Sequence, residues 1–295
     1  DEKFNEAAKF IKIAANLGNT KAIMLYGKML YWGFGVMVDE EEAVKFIKMA
    51  IDKGDLSAMC HYGFMLQNGK ENEKNIEESV KYYKMAIDQG STEAMVDYAK
   101  MLETGDRIRR NVEEAVKYYK MAIDKGDDDA MVLYGLMLNN GDGIPVNKEE
   151  AIKYYKMAID KGNVTSMFNY ATMLDEGDGT PVNKEEAIKY YKMAIDKGDD
   201  NSMLNYGLLL LDDVSSSSEN KQEAAKYIKM SADEGNVDAM FEFAQMLEKG
   251  IGVTVDKEES LRYYKMAKEL EEEDEEEQEW ENEQENETQD DGKNT

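Results

Sequence analysis

The sequence contains few residues that interrupt helices, cross-link chains or bind transition metals. Its 295 residues include two prolines, one cysteine and one histidine. Because proline lacks the backbone N–H that a helix uses, its scarcity favours helices. A single cysteine, Cys60, excludes an intrachain disulfide framework and suits a reducing compartment, so we expect a cytoplasmic protein. With only His61 beside it, Cys60 cannot complete a metal site, and we expect neither metal nor cofactor.

Basic residues are outnumbered by acidic ones, and long apolar runs are missing from the sequence. The chain has 36 Lys and Arg against 63 Asp and Glu, a net charge of −27. Nucleic acid is therefore not an expected partner, because its phosphates require a basic surface. No stretch approaches the ~18 consecutive apolar residues of a membrane span, so we expect no membrane insertion. The chain starts at Asp1 without a methionine, and we expect it to be a piece of a longer protein.

Glycine, by contrast, recurs at a nearly constant interval of 36 residues, with one step of 37. The glycines of this series are Gly18, Gly54, Gly90, Gly126, Gly162, Gly198 and Gly235. A fixed period of ~20–50 residues is typical of a solenoid, in which each unit buries its apolar face against its neighbours. We therefore predict one repeat array over residues 1–270, with function on a shared surface rather than in one pocket.

Each repeat contains two helix starts that carry residues suited to N-caps. One series directly follows the glycines: Asn19, Asp55, Ser91, Asp127, Asn163, Asp199 and Asn236. The other comes before a Glu three residues later: Asp39, Asn75, Asn111, Asn147, Asn183, Asn220 and Asp256. The two series predict a lone terminal helix followed by seven helix pairs, an all-α fold.

The helix that follows each glycine has one constant arc and one variable arc. The constant arc, from Ser166 to Leu174 in one copy, carries the residues expected to pack, and its Gly or Ala column predicts close helix contact. The variable arc contains apolar residues that the packing does not require, which favours a partner-binding surface. The candidate partner-binding residues are Met24, Lys28, Trp32, Phe64, Lys100, Val132, Leu136, Asn139, Phe168, Thr172, Asp175, Leu204, Leu208, Phe241 and Gln245. The lysine pairs of the other helix, such as Lys45 and Lys48, are interpreted as a solvated face.

The repeated segments, such as Ala151 through Gly162 and Ser166 through Gly179, resemble the Sel1-like repeat, a relative of the tetratricopeptide repeat. The likeness covers residues 3 to about 267. It implies an α-solenoid of antiparallel helix pairs wound into a right-handed superhelix, with the first helix of each pair on the concave face. It also implies an adaptor in signalling, endoplasmic-reticulum quality control or ubiquitin-ligase assemblies. In some relatives the repeats accompany a kinase domain.

Catalytic and metal-binding motifs were weighed against this interpretation. The segments around Gly141 and Gly177 resemble calcium loops but have glycines where oxygen ligands are needed. Ser218 and Lys221 have the spacing of a penicillin-binding serine and lysine, but the accompanying motifs do not follow. We therefore expect no enzyme and no metal site.

Three hypotheses on function remain open. The first is a non-catalytic scaffold that binds a peptide or protein segment on its concave face. The second is the regulatory repeat region of a larger signalling enzyme, such as a kinase, or an adaptor of the kinds named above. The third is an acidic chaperone that acts through residues 271–295, an acidic segment expected to be disordered. In that segment Trp280 is either an anchor for a linear motif or part of a solubilising tail. The oligomeric state is not predicted.

Overall fold

The computed structural model describes residues 2–69, 73–212 and 217–272, and these parts contain fifteen α-helices and no strand. The helices are α1 (Glu2–Asn16), α2 (Thr20–Trp32), α3 (Glu40–Asp52), α4 (Leu56–Asn68), α5 (Glu73–Asp88), α6 (Thr92–Thr104), α7 (Val112–Asp124), α8 (Asp128–Asn140), α9 (Lys148–Ile159), α10 (Val164–Glu176), α11 (Lys184–Ile195), α12 (Asp200–Leu211), α13 (Ser218–Asp233), α14 (Val237–Lys249) and α15, residues 257–272. After α1 they form pairs, from α2–α3 to α14–α15. The even-numbered members are the first helices and the odd-numbered members the second helices. Most of the predicted tail, Trp280 included, lies outside the described residues.

The chain divides into two compact units, residues 1–134 and 135–295, and the division falls within α8. In the first unit every helix from α1 to α7 contacts the next one, and α4 also contacts α6. In the second unit every helix from α9 to α14 contacts the next one, and α10 also contacts α12. Within each unit these helices therefore pack on their neighbours in the sequence, and one pair of first helices in each unit, α4 with α6 and α10 with α12, also touches.

Side-chain caps fix the starts of the helices. All seven predicted caps of the first helices are confirmed, since each side chain accepts a hydrogen bond from the backbone N–H three residues later. Among the second helices, two caps were predicted wrongly. α5 begins at Glu73, so Asn75 lies within it. Ser217 caps α13, because its Oγ accepts from the backbone N–H of Asn220 at 3.1 Å, and the helix therefore begins before Asn220.

The constant arc of the first helices forms the interior, as predicted. In α10 its residues Ser166, Met167, Tyr170, Ala171, Met173 and Leu174 are all buried. The second helices contribute a column of fully buried tyrosines: Tyr83, Tyr119, Tyr155, Tyr191 and Tyr263. Each fully buried large apolar side chain stabilises the fold by about 1.5–3 kcal/mol, so the repeated columns account for a large share of the packing energy.

The predicted size limit in the Gly or Ala column is confirmed. A Cβ built on Gly207 would lie 2.5 Å from Cγ1 of Ile228 and 3.2 Å from the carbonyl oxygen of Ala224. In the second pair, the hydroxyl of Ser79 donates to the carbonyl oxygen of Gly63 at 2.7 Å. The two helices of these pairs therefore approach so closely at the glycine that a larger side chain there would overlap the partner helix.

The Gly-x-Gly segments form turns between the helices of a pair. Gly177 and Gly179 have φ of 75° and 71°, which only glycine adopts without strain. Asp178, between them, forms an ion pair with Lys148 at the start of α9. The turn therefore packs against the preceding second helix.

Candidate functional site

The fifteen candidate residues all lie on first helices, but three of them are not available to a partner. Met24, Val132 and Leu204 are only 6–7% exposed. Met24 and Leu204 belong to hydrophobic core clusters with residues of neighbouring helices. The prediction that these three residues contact a partner is therefore wrong. Their position in the repeat faces the interior. Side chains of the size of Met, Val and Leu do not reach from that position to the surface.

The remaining twelve candidates are accessible to different degrees. Trp32, Lys100 and Leu208 are exposed. The half-buried candidates are Lys28, Phe64, Leu136, Asn139, Phe168, Thr172, Asp175, Phe241 and Gln245. They are divided between the two compact units, and each unit brings some of them together with residues that the sequence interpretation did not select.

In the first unit, four rings form an aromatic cluster: Tyr31, Trp32, His61 and Phe64. Tyr31 packs edge-on against Trp32 with ring centres 4.8 Å apart, and against His61 at 5.8 Å. Phe64 stacks on His61 at 6.0 Å and lies 5.9 Å from Trp32. Such pairs are worth about 0.5–1.5 kcal/mol each beyond their buried area, so the cluster holds a defined shape. Trp32 nevertheless stays 48% exposed.

A cavity of about 190 Å³ adjoins this cluster, lined by Trp32, Cys60, His61, Phe64, Glu93 and Asp97. Its walls come from three first helices, α2, α4 and α6. The caps Asp55 and Ser91 fix where α4 and α6 begin, and the contact between these two helices brings the ring of His61 and the acids of α6 to the same cavity.

Burial sets the charges around this cavity. Desolvation lowers the pKa of His61 to about 4, with the charge of Lys28 adding to the effect, so the imidazole is neutral at pH 7. Desolvation raises the pKa of Asp97 to about 6; Lys100 opposes this shift. Burial likewise raises the pKa of Cys60 to about 12. The thiol of Cys60 lies 3.4 Å from the hydroxyl of Ser91 and is 1% exposed, so it is an unreactive packing group.

In the second unit, Phe168 and Thr172 of α10 meet Tyr191 of α11. The ring of Phe168 lies 6.3 Å from that of Tyr191, and the hydroxyl of Thr172 is 3.2 Å from the Tyr191 hydroxyl. The amide of Asn205 on α12 donates to the same hydroxyl at 3.5 Å. Leu208, one turn further along α12, is 38% exposed. The apolar side chains of Phe168 and Leu208 thus lie on the same two helices, α10 and α12, as the polar groups of Thr172 and Asn205 that contact Tyr191.

On α10 and the two helices before it, three buried polar atoms have no hydrogen-bond partner within the described residues. They are Asn139 Oδ1, the Tyr155 hydroxyl and Asn169 Nδ2. In neighbouring repeats the equivalent tyrosines are satisfied: Tyr119 donates to Glu103 at 2.6 Å, and Tyr191 bonds Asn205. Buried polar groups in native proteins almost always find a partner, which makes these three atoms unusual.

The sequence interpretation missed the column that follows the Phe168 position. This column contains Leu25, His61, Asp97, Leu133, Asn169, Asn205 and Glu242. Its members lie on the first helices: His61 and Asp97 line the cavity of the first unit, Asn169 carries one of the unpartnered atoms, and Asn205 donates to Tyr191. The column changes between apolar, acidic and amide residues from copy to copy, and this variation in the sequence could have identified it as part of the variable arc. Tyr31 and Glu93 were also missed.

The described residues do not contain a group of three or more His, Cys, Asp or Glu side chains placed to hold a metal ion. Within the same parts of the chain, no helix is both long and apolar enough to cross a membrane.

Similar solved structures share the fold. Protein c5321 of uropathogenic Escherichia coli, a protective antigen displaying an SLR fold, has 22% identity and a TM-score of 0.67 over 90% of this chain and 56% of that one. A Sel1 repeat protein of Oxalobacter formigenes has 24% identity and a TM-score of 0.67, covering 91% of this chain and 78% of that one. Yeast Tom70 has 15% identity and a TM-score of 0.54, and the match covers 92% of this chain and 60% of Tom70. The chain thus spans just over half the length of c5321. The predicted α-solenoid fold class is confirmed.

Sequence comparison identifies the repeats themselves. No curated protein sequence matches the chain. The Sel1 repeat model matches residues 20–55, 56–91, 92–127, 128–163, 164–199, 201–236 and 237–271. Helical repeats of this kind generally provide extended surfaces for protein interaction. Because the seven matches account for most of the sequence and each one covers a first and a second helix, the chain belongs to the Sel1 repeat family.

Proposed function

We propose that this chain is a non-catalytic scaffold that binds a peptide or protein segment along its first helices, on the face that the family resemblance implies to be concave. The observation that carries the proposal is a division within each first helix. Positions that stay constant between repeats are buried, whereas the variable positions include the accessible aromatic and aliphatic groups of Trp32, Phe64, Phe168 and Leu208. Apolar groups of this kind supply most of the affinity at protein interfaces.

The three unpartnered polar atoms of the second unit support a polypeptide as the ligand. A peptide bond offers one N–H donor and one C=O acceptor. Asn139 Oδ1 accepts, Asn169 Nδ2 donates and the Tyr155 hydroxyl does either, so each has the chemistry to pair with a main-chain group of a bound segment. Satisfying these atoms on binding would remove the cost of about 1–3 kcal/mol that each buried unsatisfied group carries.

The same proposal covers three points that rest on the sequence. We propose that the array ends near residue 270, that residues 271–295 form an acidic tail outside the binding surface, and that the protein acts in the cytoplasm. The last point depends on the single cysteine.

The test is affinity capture with the intact chain and with a Phe168→Glu/Leu208→Glu variant. We expect the variant to lose partners that the intact chain retains, because each glutamate places a charge on an apolar contact surface. The matched control is Met230→Glu/Leu261→Glu on second helices, since Met230 is 37% exposed and Leu208 is 38% exposed. It should retain the partners.

Thermal unfolding followed by circular dichroism accompanies the capture, so that loss of partners by a folded variant is distinguished from unfolding. If the folded first-helix variant recovers the same partners as the intact chain, or if the second-helix control loses them equally, the proposed surface is wrong.

A further inference from the structure

The cavity of the first unit has aromatic faces on one side and carboxylates on the other. Trp32 and Phe64 provide the aromatic side, and Glu93 and Asp97 of α6 the acidic side. The face of an aromatic ring carries a negative quadrupole, which attracts a cation placed within ~6 Å of its centre. Two features of different chemical type, the rings and the acids, therefore favour the same kind of ligand.

The charges near the cavity are unequal. Besides Glu93 and Asp97, the carboxylates of Asp127 and Asp129 act on Asp97. The nearby positive groups are Lys28, which acts on His61, and Lys100, which acts on Asp97. Four carboxylates thus stand against two ammonium groups, and a positively charged ligand would bring the region closer to neutrality.

His61 adds a hydrogen-bonding requirement. Its Nε2 is buried and has no partner in the described part of the chain. The neutral imidazole offers one acceptor nitrogen, which the N–H group of a cationic side chain can satisfy. The cavity has a volume of about 190 Å³, which leaves room for the end of one long side chain.

We propose that this cavity binds a lysine or arginine side chain of the protein segment that the scaffold recognises. The cation would lie against Trp32 and Phe64, with its N–H groups directed to Glu93, Asp97 and His61. This inference rests on the proposed function and names the chemistry of the partner at one position. The first unit thereby selects a segment with a basic residue.

The test uses Trp32 as the reporter. The chain has two tryptophans, so in a Trp280→Phe background the tryptophan fluorescence comes from Trp32 alone. The probes are the capped tripeptides acetyl-Gly-Arg-Gly-amide and acetyl-Gly-Lys-Gly-amide at physiological salt. The neutral control is the same peptide with citrulline, which has the shape of arginine without its charge. We expect saturable changes with the basic peptides and at least about tenfold weaker binding of the citrulline peptide, because charge-assisted hydrogen bonds are the stronger ones.

Two variants separate the site from general attraction to an acidic protein. The Glu93→Gln/Asp97→Asn variant should bind the arginine peptide about tenfold or more weakly, since the substitutions remove both carboxylates of the cavity. Glu113→Gln/Asp124→Asn makes the same change in net charge at exposed positions of α7 and should bind as the parent does.

Equal binding of the arginine and citrulline peptides, equal loss in the two double variants, or the absence of any saturable signal would each overturn the inference. None of these results bears on Phe168 and Leu208, the residues at which affinity capture tests the scaffold proposal. The scaffold proposal and the proposed cation-binding cavity can therefore fail separately.

Discussion

The ammonium group of Lys48 lies 4.9 Å from the centre of the Tyr62 ring, across the contact between α3 and α4. The same relationship recurs every 36 residues: Lys84 with Tyr98 at 5.3 Å, Lys120 with Tyr134 at 5.1 Å, Lys156 with Tyr170 at 4.8 Å and Lys192 with Tyr206 at 4.8 Å. These lysines are exposed, as expected for a solvated face. Each one also joins its second helix to the first helix of the following pair.

Replacing Lys48 with methionine should therefore destabilise the chain by about 0.5–1 kcal/mol, because the variant keeps an apolar stem but loses the cation–π contact. Urea unfolding measures the change. Lys45→Met, at another exposed position of the same helix, serves as the control and should change stability by less than about 0.5 kcal/mol. Equal effects of the two substitutions would show that the contact with Tyr62 adds no stability.

Removing the hydroxyl groups of two equivalent tyrosines should have different consequences. Tyr119 is fully buried and donates to the Glu103 carboxylate at 2.6 Å, so Tyr119→Phe should cost about 1–2 kcal/mol. Tyr155 is as deeply buried, but its hydroxyl has no partner within the described residues. Tyr155→Phe should therefore be neutral within about 0.5 kcal/mol or stabilising. Denaturant unfolding of both variants checks this, and a large loss at Tyr155 would reveal an unrecognised partner.

The close approach at Gly207 predicts that a larger side chain there is not tolerated. Gly207→Val should cost about 1–3 kcal/mol, because its Cβ would overlap Cγ1 of Ile228. The neighbouring Leu208→Val, which places the same residue at an exposed position, should cost less than about 1 kcal/mol. Thermal unfolding distinguishes the two. If the overlap is the cause, Gly207→Val and Ile228→Ala together should cost less than the sum of their separate effects, because the truncated Ile228 leaves room for the new side chain.

Asp97 should make the chain more stable as the medium becomes moderately acidic. Its pKa in the folded chain is about 6, against an ordinary value of 3.8. The folded state therefore takes up the proton first, and stability rises as pH falls from about 6 towards 4. At pH 7.5 the folded chain must keep the buried Asp97 carboxylate ionised, which costs free energy. Asp97→Asn removes this cost and should stabilise the chain at that pH by about 2 kcal/mol. Asp124→Asn, an exposed control, should show a change below about 0.5 kcal/mol in the same urea titrations.

His61 should act in the opposite direction over a similar range. Its pKa in the folded chain is lowered from 6.5 to about 4, so the unfolded state binds the proton first and stability is lost as pH falls between these values. Stability of the Asp97→Asn chain should therefore decrease on acidification from pH 6.5 to 4. That of a His61→Gln chain should increase over the same interval. Parallel pH profiles for the two variants would contradict both assignments.

Much of the fold was predictable because each helix is specified locally. The spacing of the glycines, the cap residues that follow them and the constant arc around Tyr170 all recur, so the copies could be compared without other sequences. At α13 the predicted cap was wrong because a local competitor decided: Ser217 supplied a cap ahead of Asn220.

The candidate site was predicted less completely, because exposure depends on neighbouring repeats. Met24, Val132 and Leu204 share a column with Phe168, yet they are buried while Phe168 is half-exposed. A helical wheel treats each helix alone and cannot show what the next pair covers. For the same reason the wheel did not reveal that His61 and Asp97, 36 residues apart, line one cavity.

The sequence by itself determined the helices, their pairing and the columns that pack between them, since caps, periodicity and side-chain size act over one repeat. Only the tertiary structure decided which variable side chains remain accessible and which polar atoms are buried without a partner. These properties arise where three consecutive first helices meet, and there the burial of one residue depends on side chains one repeat away.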